Sequence, residues 1–115
     1  MLSFRDKPLK ERISIVYSVR IKYPDRIPIC VYKEDWINAP SLDREKFLVS
    51  KEMTIGEFLY VIRLRIKLKP TEALFIFFDN IMLDTNSKLG SVYNKYKHHE
   101  DNMLYCTYSL ENSFG

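Results

Sequence analysis

Apolar residues recur at helical intervals over residues 9–21. Leu9, Ile13, Val16 and Ile21 make one stripe, and Ile15 and Val19, four apart, add a second to one side. Pro8 suits the first turn and Tyr23-Pro24 stops the helix. A face this wide predicts a helix that covers a sheet and leaves an apolar edge over for a groove. The pattern then changes to alternation. In Ile27–Lys33, Ile27, Ile29 and Val31 point one way and Pro28, Cys30 and Tyr32 the other. Both sets are largely apolar, so the strand is expected to be covered on both faces, with the preceding helix as one cover. Pro28 has no N–H to give a ladder and belongs at the strand's start or on an unpaired side.

After a turn-rich stretch around Asn38-Ala39-Pro40-Ser41, Lys46–Ser50 reads as a short second strand. Lys46 and Leu48 face one way, Phe47 and Val49 the other. Thr54 with Glu57 three residues on is a capping box, opening a helix through about Ile66. Ile55, Leu59, Ile62 and Ile66 form its expected core face, with Phe58 and Val61 off that stripe, while Arg63, Arg65, Lys67 and Lys69 complement its C-terminal dipole. Leu74–Phe78 reads as a buried strand and Asp79-Asn80 as a turn. A short helix follows around Leu89, Val92, Tyr93 and Tyr96, then a strand over Met103–Tyr108. Beyond it, Ser109 to Gly115 is polar and without period, the signature of a mobile terminus.

After the first helix the order is hairpin, main helix, then two more strands with a short helix between. That is the order of a ubiquitin-like β-grasp, so the expected class is α+β, a ubiquitin-like β-grasp with an N-terminal helical extension. Within one domain the expected divisions are an N-terminal helical subdomain over residues 1–24 packed on the sheet, the β-grasp over 25–109, and a flexible tail over 110–115.

Composition narrows the chemistry. A chain of 115 residues supports one domain. Its three glycines, Gly56, Gly90 and Gly115, are far apart, which excludes glycine-rich phosphate loops. The longest wholly apolar run, Ala73–Phe78, is six residues, against the ~20 of a membrane helix. The polar start offers no stretch that could serve as a signal peptide. Cys30 and Cys106 sit in apolar strand runs, where reduced thiols act as small hydrophobes, so a cytosolic protein without disulfides is expected. His98-His99 has no ligand partner at metal spacing. Without a nucleophile–base pair or metal cluster, the chain reads as a non-enzyme with no cofactor. Residues 1–26 carry seven bases against three acids, while the remainder is close to neutral. This asymmetry reads first as a solvated helix face and second as an interaction surface.

The C-terminal glycine gives the tail a specific use. Glycine lacks a Cβ, so its carboxylate can thread a narrow enzyme channel and meet a nucleophile with little crowding. A β-grasp with such a tail has the form of a conjugated modifier.

Several residue strings fall in the order of one family: Tyr23-Pro24-Asp25-Arg26-Ile27-Pro28-Ile29, Leu42-Asp43-Arg44-Glu45-Lys46-Phe47-Leu48-Val49, Thr54-Ile55-Gly56-Glu57-Phe58, Val61-Ile62-Arg63-Leu64-Arg65 and Glu111-Asn112-Ser113-Phe114-Gly115. From about residue 8 to the end, the chain resembles the autophagy-related protein eight family, which includes the GABA-receptor-associated proteins and the microtubule-associated light chains. The resemblance implies a modifier joined through its terminal glycine to phosphatidylethanolamine on autophagic membranes. Gly115 matches the acceptor and Phe114 the aromatic residue before it. The implied partners are the activating and conjugating enzymes of the autophagy conjugation system and a processing and delipidating cysteine protease. The chain would be a monomer and a substrate of that chemistry, cytoplasmic and lipid-anchored on autophagosomal or related vesicles, with no nucleic-acid partner. Two acyl chains gained at once suffice for stable anchoring.

The resemblance also implies binding of autophagy receptors through aromatic-x-x-aliphatic peptides, which add a strand to an exposed sheet edge. Lys46–Ser50 matches that edge. The aromatic pocket maps to Ile15, Val19, Pro28, Cys30, Lys46, Leu48 and Met103, and the aliphatic pocket to Phe47, Val49, Ser50, Met53, Phe58 and Val61. Arg26, Arg44, Lys46 and Arg65 match bases that meet acidic flanks of such peptides. Ile15 stands where the family usually has an acid, and Ser50 replaces a proline, so peptide preference is expected to differ from that of relatives. The alternative is a non-conjugated ubiquitin-like adaptor for trafficking or microtubules.

Overall fold

The computed structural model describes residues 3–34 and 41–112. A single 3-10 turn, Phe4–Asp6, leads into α1 (Leu9–Lys22). The elements β1 (Arg26–Lys33), β2 (Lys46–Ser50), α2 (Ile55–Ile66), β3 (Glu72–Phe77), α3 (Leu89–Tyr96) and β4 (Leu104–Asn112) follow. They form one sheet in the order β2-β1-β4-β3. The first and last strands pair in parallel at its centre, with Ile29 opposite Leu104, and each carries an antiparallel neighbour outward. This is the ubiquitin-like arrangement, and α1 adds a layer on the face opposite α2 and α3.

Burial of β1 on both faces follows from its sequence. Ile27, Ile29 and Val31 enter the main core with Ile55, Phe58 and Ile62 of α2 and Leu89 and Val92 of α3. Cys30, on the other face, enters a smaller core with Phe4, Val16 and Met103 under α1. The Val31 amide donates to the Glu45 carbonyl at 2.8 Å, so alternate residues 27, 29 and 31 address β2. Pro28 therefore turns its missing N–H toward β4, whose pairing begins only at Ile29. The capping box forms as expected: the Glu57 amide donates to Thr54 Oγ1 at 3.1 Å, and the Thr54 amide to Glu57 Oε1 at 3.2 Å. Asp79 and Asn80 take positive φ of 50° and 63°, closing the tight turn between Phe78 and Ile81.

Three elements differ from expectation. Helix α1 is rotated from its expected stripe: Val16 is buried, but Ile13 is 42% and Ile21 64% exposed. The inward ridge is Arg12, Val16 and Val19, flanked by Ile15. An ion pair anchors it, Arg12 Nη1 lying 2.6 Å from Asp101 Oδ2. Asp101 is 2% exposed and also accepts from the Tyr105 hydroxyl and the Met103 amide. Arg12 is thus not a solvated helix base. Strand β3 is half-buried rather than buried: Ile76 is enclosed, but Ala73 is exposed and Leu74, Phe75 and Phe77 are only partly covered. It lies at the sheet's edge, where one flank has no neighbour among the described residues. Strand β4 outruns the expected Met103–Tyr108, because Ser109 to Asn112 pair with Phe75 to Glu72. Backbone pairing there needs no apolar alternation, only a partner strand, and β3 supplies it.

Candidate functional site

The other edge of the sheet is β2, and it is where the expected site residues converge. Its register sets Pro28 opposite Leu48 and Cys30 opposite Lys46, which puts these four side chains on the α1 face. Ile27 pairs with Val49 and Ile29 with Phe47 on the α2 face. The strand's burial alternates accordingly: Phe47 and Val49 are buried, Leu48 is half-buried, and Lys46 and Ser50 are exposed. Since residues 45, 47 and 49 spend their backbone groups on β1, those of Lys46 and Leu48 point away from the sheet. The Lys46 carbonyl is covered by the Arg44 side chain, whose Nε donates to it at 3.0 Å. Among the described residues no side chain covers Leu48's backbone in this way.

Each side of β2 has its own apolar lining. On the α1 side, Ile15 packs with Cys30 and Met103 in the smaller core, and Val19 is half-buried one turn further along the helix. Burial pushes the Cys30 thiol up to about 12, partly offset by a hydrogen bond with Tyr32, so it lines this side as a neutral group. Phe4 forms the far wall, 1% exposed, with Lys46 Nζ 5.6 Å from its ring centre. A cavity of about 870 Å³ opens at this end, between Phe4, Lys46, Arg44 and Leu42. On the α2 side, Phe47 stands edge-on to Phe58 with ring centres 5.6 Å apart. Phe58 is 0% exposed, so it lies within the core face, beneath Phe47, rather than off the stripe as its spacing suggested. Val61 and Met53 are half-buried and line a cavity of about 540 Å³ with Tyr60 and Gly56.

Cations rim the α2 side. The guanidinium carbons of Arg44 and Arg65 lie 4.8 and 5.5 Å from the Phe47 ring centre. Arg65 Nη1 also donates to both carboxylate oxygens of Asp43 at 3.1 Å. Arg26 is exposed at the opposite end of the edge. Ser50 uses its hydroxyl to accept the Glu52 amide at 3.1 Å and so holds the turn leaving β2. Phe114 and Gly115 lie outside the described residues.

Two residues here escaped the sequence reading. Phe4 is a lone aromatic in a polar start, and that isolation was its one signal. Glu45 accepts the Phe4 amide and the Ser3 hydroxyl, tying the N-terminal turn to the start of β2. Its role depends on a contact across about forty positions, which no local pattern carries.

This folded shape has close counterparts. A family model described as "Autophagy protein Atg8 ubiquitin like" matches residues 11–115. The chain belongs to the Atg8 family. It is 46% identical over 110 residues to Autophagy-related protein 8e of Arabidopsis thaliana, covering 96% of this chain and 89% of that one. The crystal structure of Trypanosoma brucei ATG8 superposes with a TM-score of 0.87 at 36% identity, covering 96% of this chain and 95% of that one. Plasmodium falciparum Atg8, solved in complex with a Plasmodium falciparum Atg3 peptide, superposes at 0.84 with 29% identity, covering 95% and 96%. An Atg8-family member is a ubiquitin-like protein of autophagy, and the ubiquitin-like β-grasp read from the element order is the fold observed.

Among the described residues no group of three or more His, Cys, Asp or Glu could hold a metal ion. Both cysteines are free and buried. No helix among those residues is long and apolar enough to cross a membrane.

Proposed function

We propose that this Atg8-family chain is a ubiquitin-like modifier, joined through Gly115 to phosphatidylethanolamine, that carries a receptor-binding edge to autophagic membranes. The edge binds aromatic-x-x-aliphatic peptides by strand addition. The observation that carries the peptide reading is the unpaired side of β2, flanked by apolar linings on both faces of one strand. An incoming strand finds the Leu48 backbone free and meets the Lys46 carbonyl after displacing Arg44. Its alternate side chains then fall to the two sides, the aromatic one toward Ile15, Val19, Pro28 and Leu48, the aliphatic one toward Phe47, Val49, Met53 and Val61.

Two filled pockets at roughly 1.5–3 kcal/mol each, with strand hydrogen bonds and less the cost of association, correspond to micromolar affinity. Arg44 and Arg65, freed from Lys46 and Asp43, would meet acidic flanks and act more on association rate and choice than on affinity. With Ile15 in its wall, the aromatic side favours a large apolar ring over a partly polar one. The structure of the Plasmodium relative with an Atg3 peptide supports the same reading, since a conjugation-system peptide is recognised there by a protein of this fold. The activating and conjugating enzymes, the processing protease and the vesicle localisation belong to this proposal.

Calorimetry with an aromatic-x-x-aliphatic peptide bearing acidic flanks tests the edge. Leu48 is half-buried and outside the main core, so Leu48→Arg should leave the unfolding midpoint nearly unchanged and abolish binding. Wild-type affinity in that variant would remove β2 as the site.

A further inference from the structure

The α1 side of the β2 edge already holds an aromatic ring, and that ring belongs to the chain itself. Phe4 is 1% exposed and packs with Val16, Cys30 and Met103, with Ile15 at the margin. Lys46 Nζ lies 5.6 Å from its ring centre. Ile15, Cys30, Lys46 and Met103 are four of the seven residues expected to line the aromatic pocket. Cys30 and Met103 are 0 and 3% exposed, so a side chain arriving from outside cannot touch them while Phe4 is in place. The turn that delivers the ring is lightly attached. Phe4 is its one buried residue: Ser3 and Lys7 are half-buried, and Arg5 and Asp6 are exposed. Its polar contacts with the sheet go to two side chains. Glu45 accepts the Phe4 amide and the Ser3 hydroxyl. The Tyr32 hydroxyl meets the Ser3 hydroxyl and the Arg5 amide, each at 3.2 Å, and the Arg5 guanidinium carbon lies 4.1 Å from the Tyr32 ring centre.

We infer that Phe4 is an internal ligand of the aromatic side, a plug that the aromatic residue of an incoming peptide displaces as it binds. The inference rests on the proposed peptide reading of β2 and adds how that site is regulated. The parts are arranged for release. Lys7 is extended, and its carbonyl accepts Arg12 Nε at 3.1 Å, while Arg12 is itself paired with Asp101. The turn can therefore swing at Lys7 while α1 stays on the sheet. Its own backbone bonds, Asp6 to Ser3 and Lys7 to Phe4, hold the turn together but do not tie it down. The cavity of about 870 Å³ beside it, lined by Ser3, Phe4, Lys7, Glu45 and Lys46 among others, gives the ring room to leave. The exchange is close to balanced, because the apolar contacts that Phe4 gives up are regained by the peptide's ring. What sets the cost of opening is the polar attachment, chiefly the charge-assisted bonds at Glu45. Apparent affinity is then reduced by the fraction of molecules that are closed. An aliphatic residue at the peptide's first anchor regains less area than a ring, so the plug also sharpens the choice of a large aromatic residue there.

Fluorine NMR on the full chain, with 4-fluorophenylalanine at position 4 alone, reads the plug directly. In the free protein the resonance should not move between water and heavy water, as for a buried ring. With a saturating aromatic-x-x-aliphatic peptide it should shift and show the full solvent isotope effect of an exposed one. Calorimetry with a peptide of neutral flanks gives the second readout. Tyr32→Phe removes the contacts with Ser3 and Arg5 without changing charge, and should tighten binding about five-fold. Phe4→Ser, with native circular dichroism, should tighten it at least as much; if that variant does not fold, the fluorine shift and Tyr32→Phe carry the test. Binding by Phe4→Ser in the absence of detectable wild-type binding would support the plug as well. A permanent wall residue gives the opposite results: a fluorine that stays buried in the complex, and weaker binding by Phe4→Ser. Either result, with Leu48→Arg still abolishing binding, would overturn the plug and leave β2 as the peptide site. Unimpaired binding by Leu48→Arg would remove the site and the plug together.

Discussion

At the scale of single residues, burial rather than sequence neighbourhood sets the chemistry. Cys30 and Cys106 occupy adjacent strands but belong to different cores, one under α1 and one under α2. Burial pushes the Cys30 thiol up to about 12 and the Cys106 thiol well above its ordinary value. Tyr32 and Tyr105 are also raised, chiefly by burial. In the unfolded chain the thiols ionise near pH 9, while the folded chain keeps its thiol protons through that range. The folded state therefore holds more protons as pH rises, and stability declines with pH, by up to about 1.4 kcal/mol per pH unit for each thiol. Urea unfolding under reducing conditions at about pH 8 and about pH 10 should show a markedly lower midpoint at the higher pH. An unchanged midpoint, or native-state alkylation as fast as that of a free thiol, would contradict this.

Helix ends and strand edges carry the next level. Helix α2 begins on a capping box but ends on Lys67 in the left-handed region at φ 54°, where glycine is the usual residue. Lys67 is exposed, so Lys67→Gly should raise stability by about 1 kcal/mol, read as a higher thermal midpoint. A lower midpoint would mean that the lysine makes a compensating contact. At the other extreme stands Gly90: a Cβ there would lie 3.0 Å from the Lys51 carbonyl oxygen, so α3 docks closely only with glycine. The elements themselves were legible because their signals are local. Alternation in Lys46–Ser50 fixes which side chains share a face, and Thr54 with Glu57 fixes a helix start. What could not be read locally was set across the chain. The rotation of α1 depends on Arg12 meeting Asp101, 89 positions away, and the length of β4 on the backbone that β3 offers it. Phe58 looked peripheral because four apolar residues already filled a helical stripe, yet Phe47 packs directly over it.

For the whole molecule, the layers assign different surfaces to different tasks. The central β1–β4 pair is enclosed on both faces, the N-terminal turn is bound to the sheet through Glu45 and Tyr32, and β2 is left as an edge. In the proposed account, peptides take that edge and the C-terminal glycine carries the attachment. The two demands do not compete for the same residues. Membership of the Atg8 family rests on the match over residues 11–115 and on the superposed relatives. Conjugation is the part of the account on which the placement at a membrane depends. Its most direct measurement is mass spectrometry of the chain after incubation with reconstituted activating and conjugating enzymes, ATP and phosphatidylethanolamine vesicles. The account predicts a phosphatidylethanolamine adduct on Gly115 and none when Gly115 is deleted. An unmodified wild-type chain, in a reaction that lipidates a known family member, would contradict it and leave the non-conjugated adaptor as the better reading.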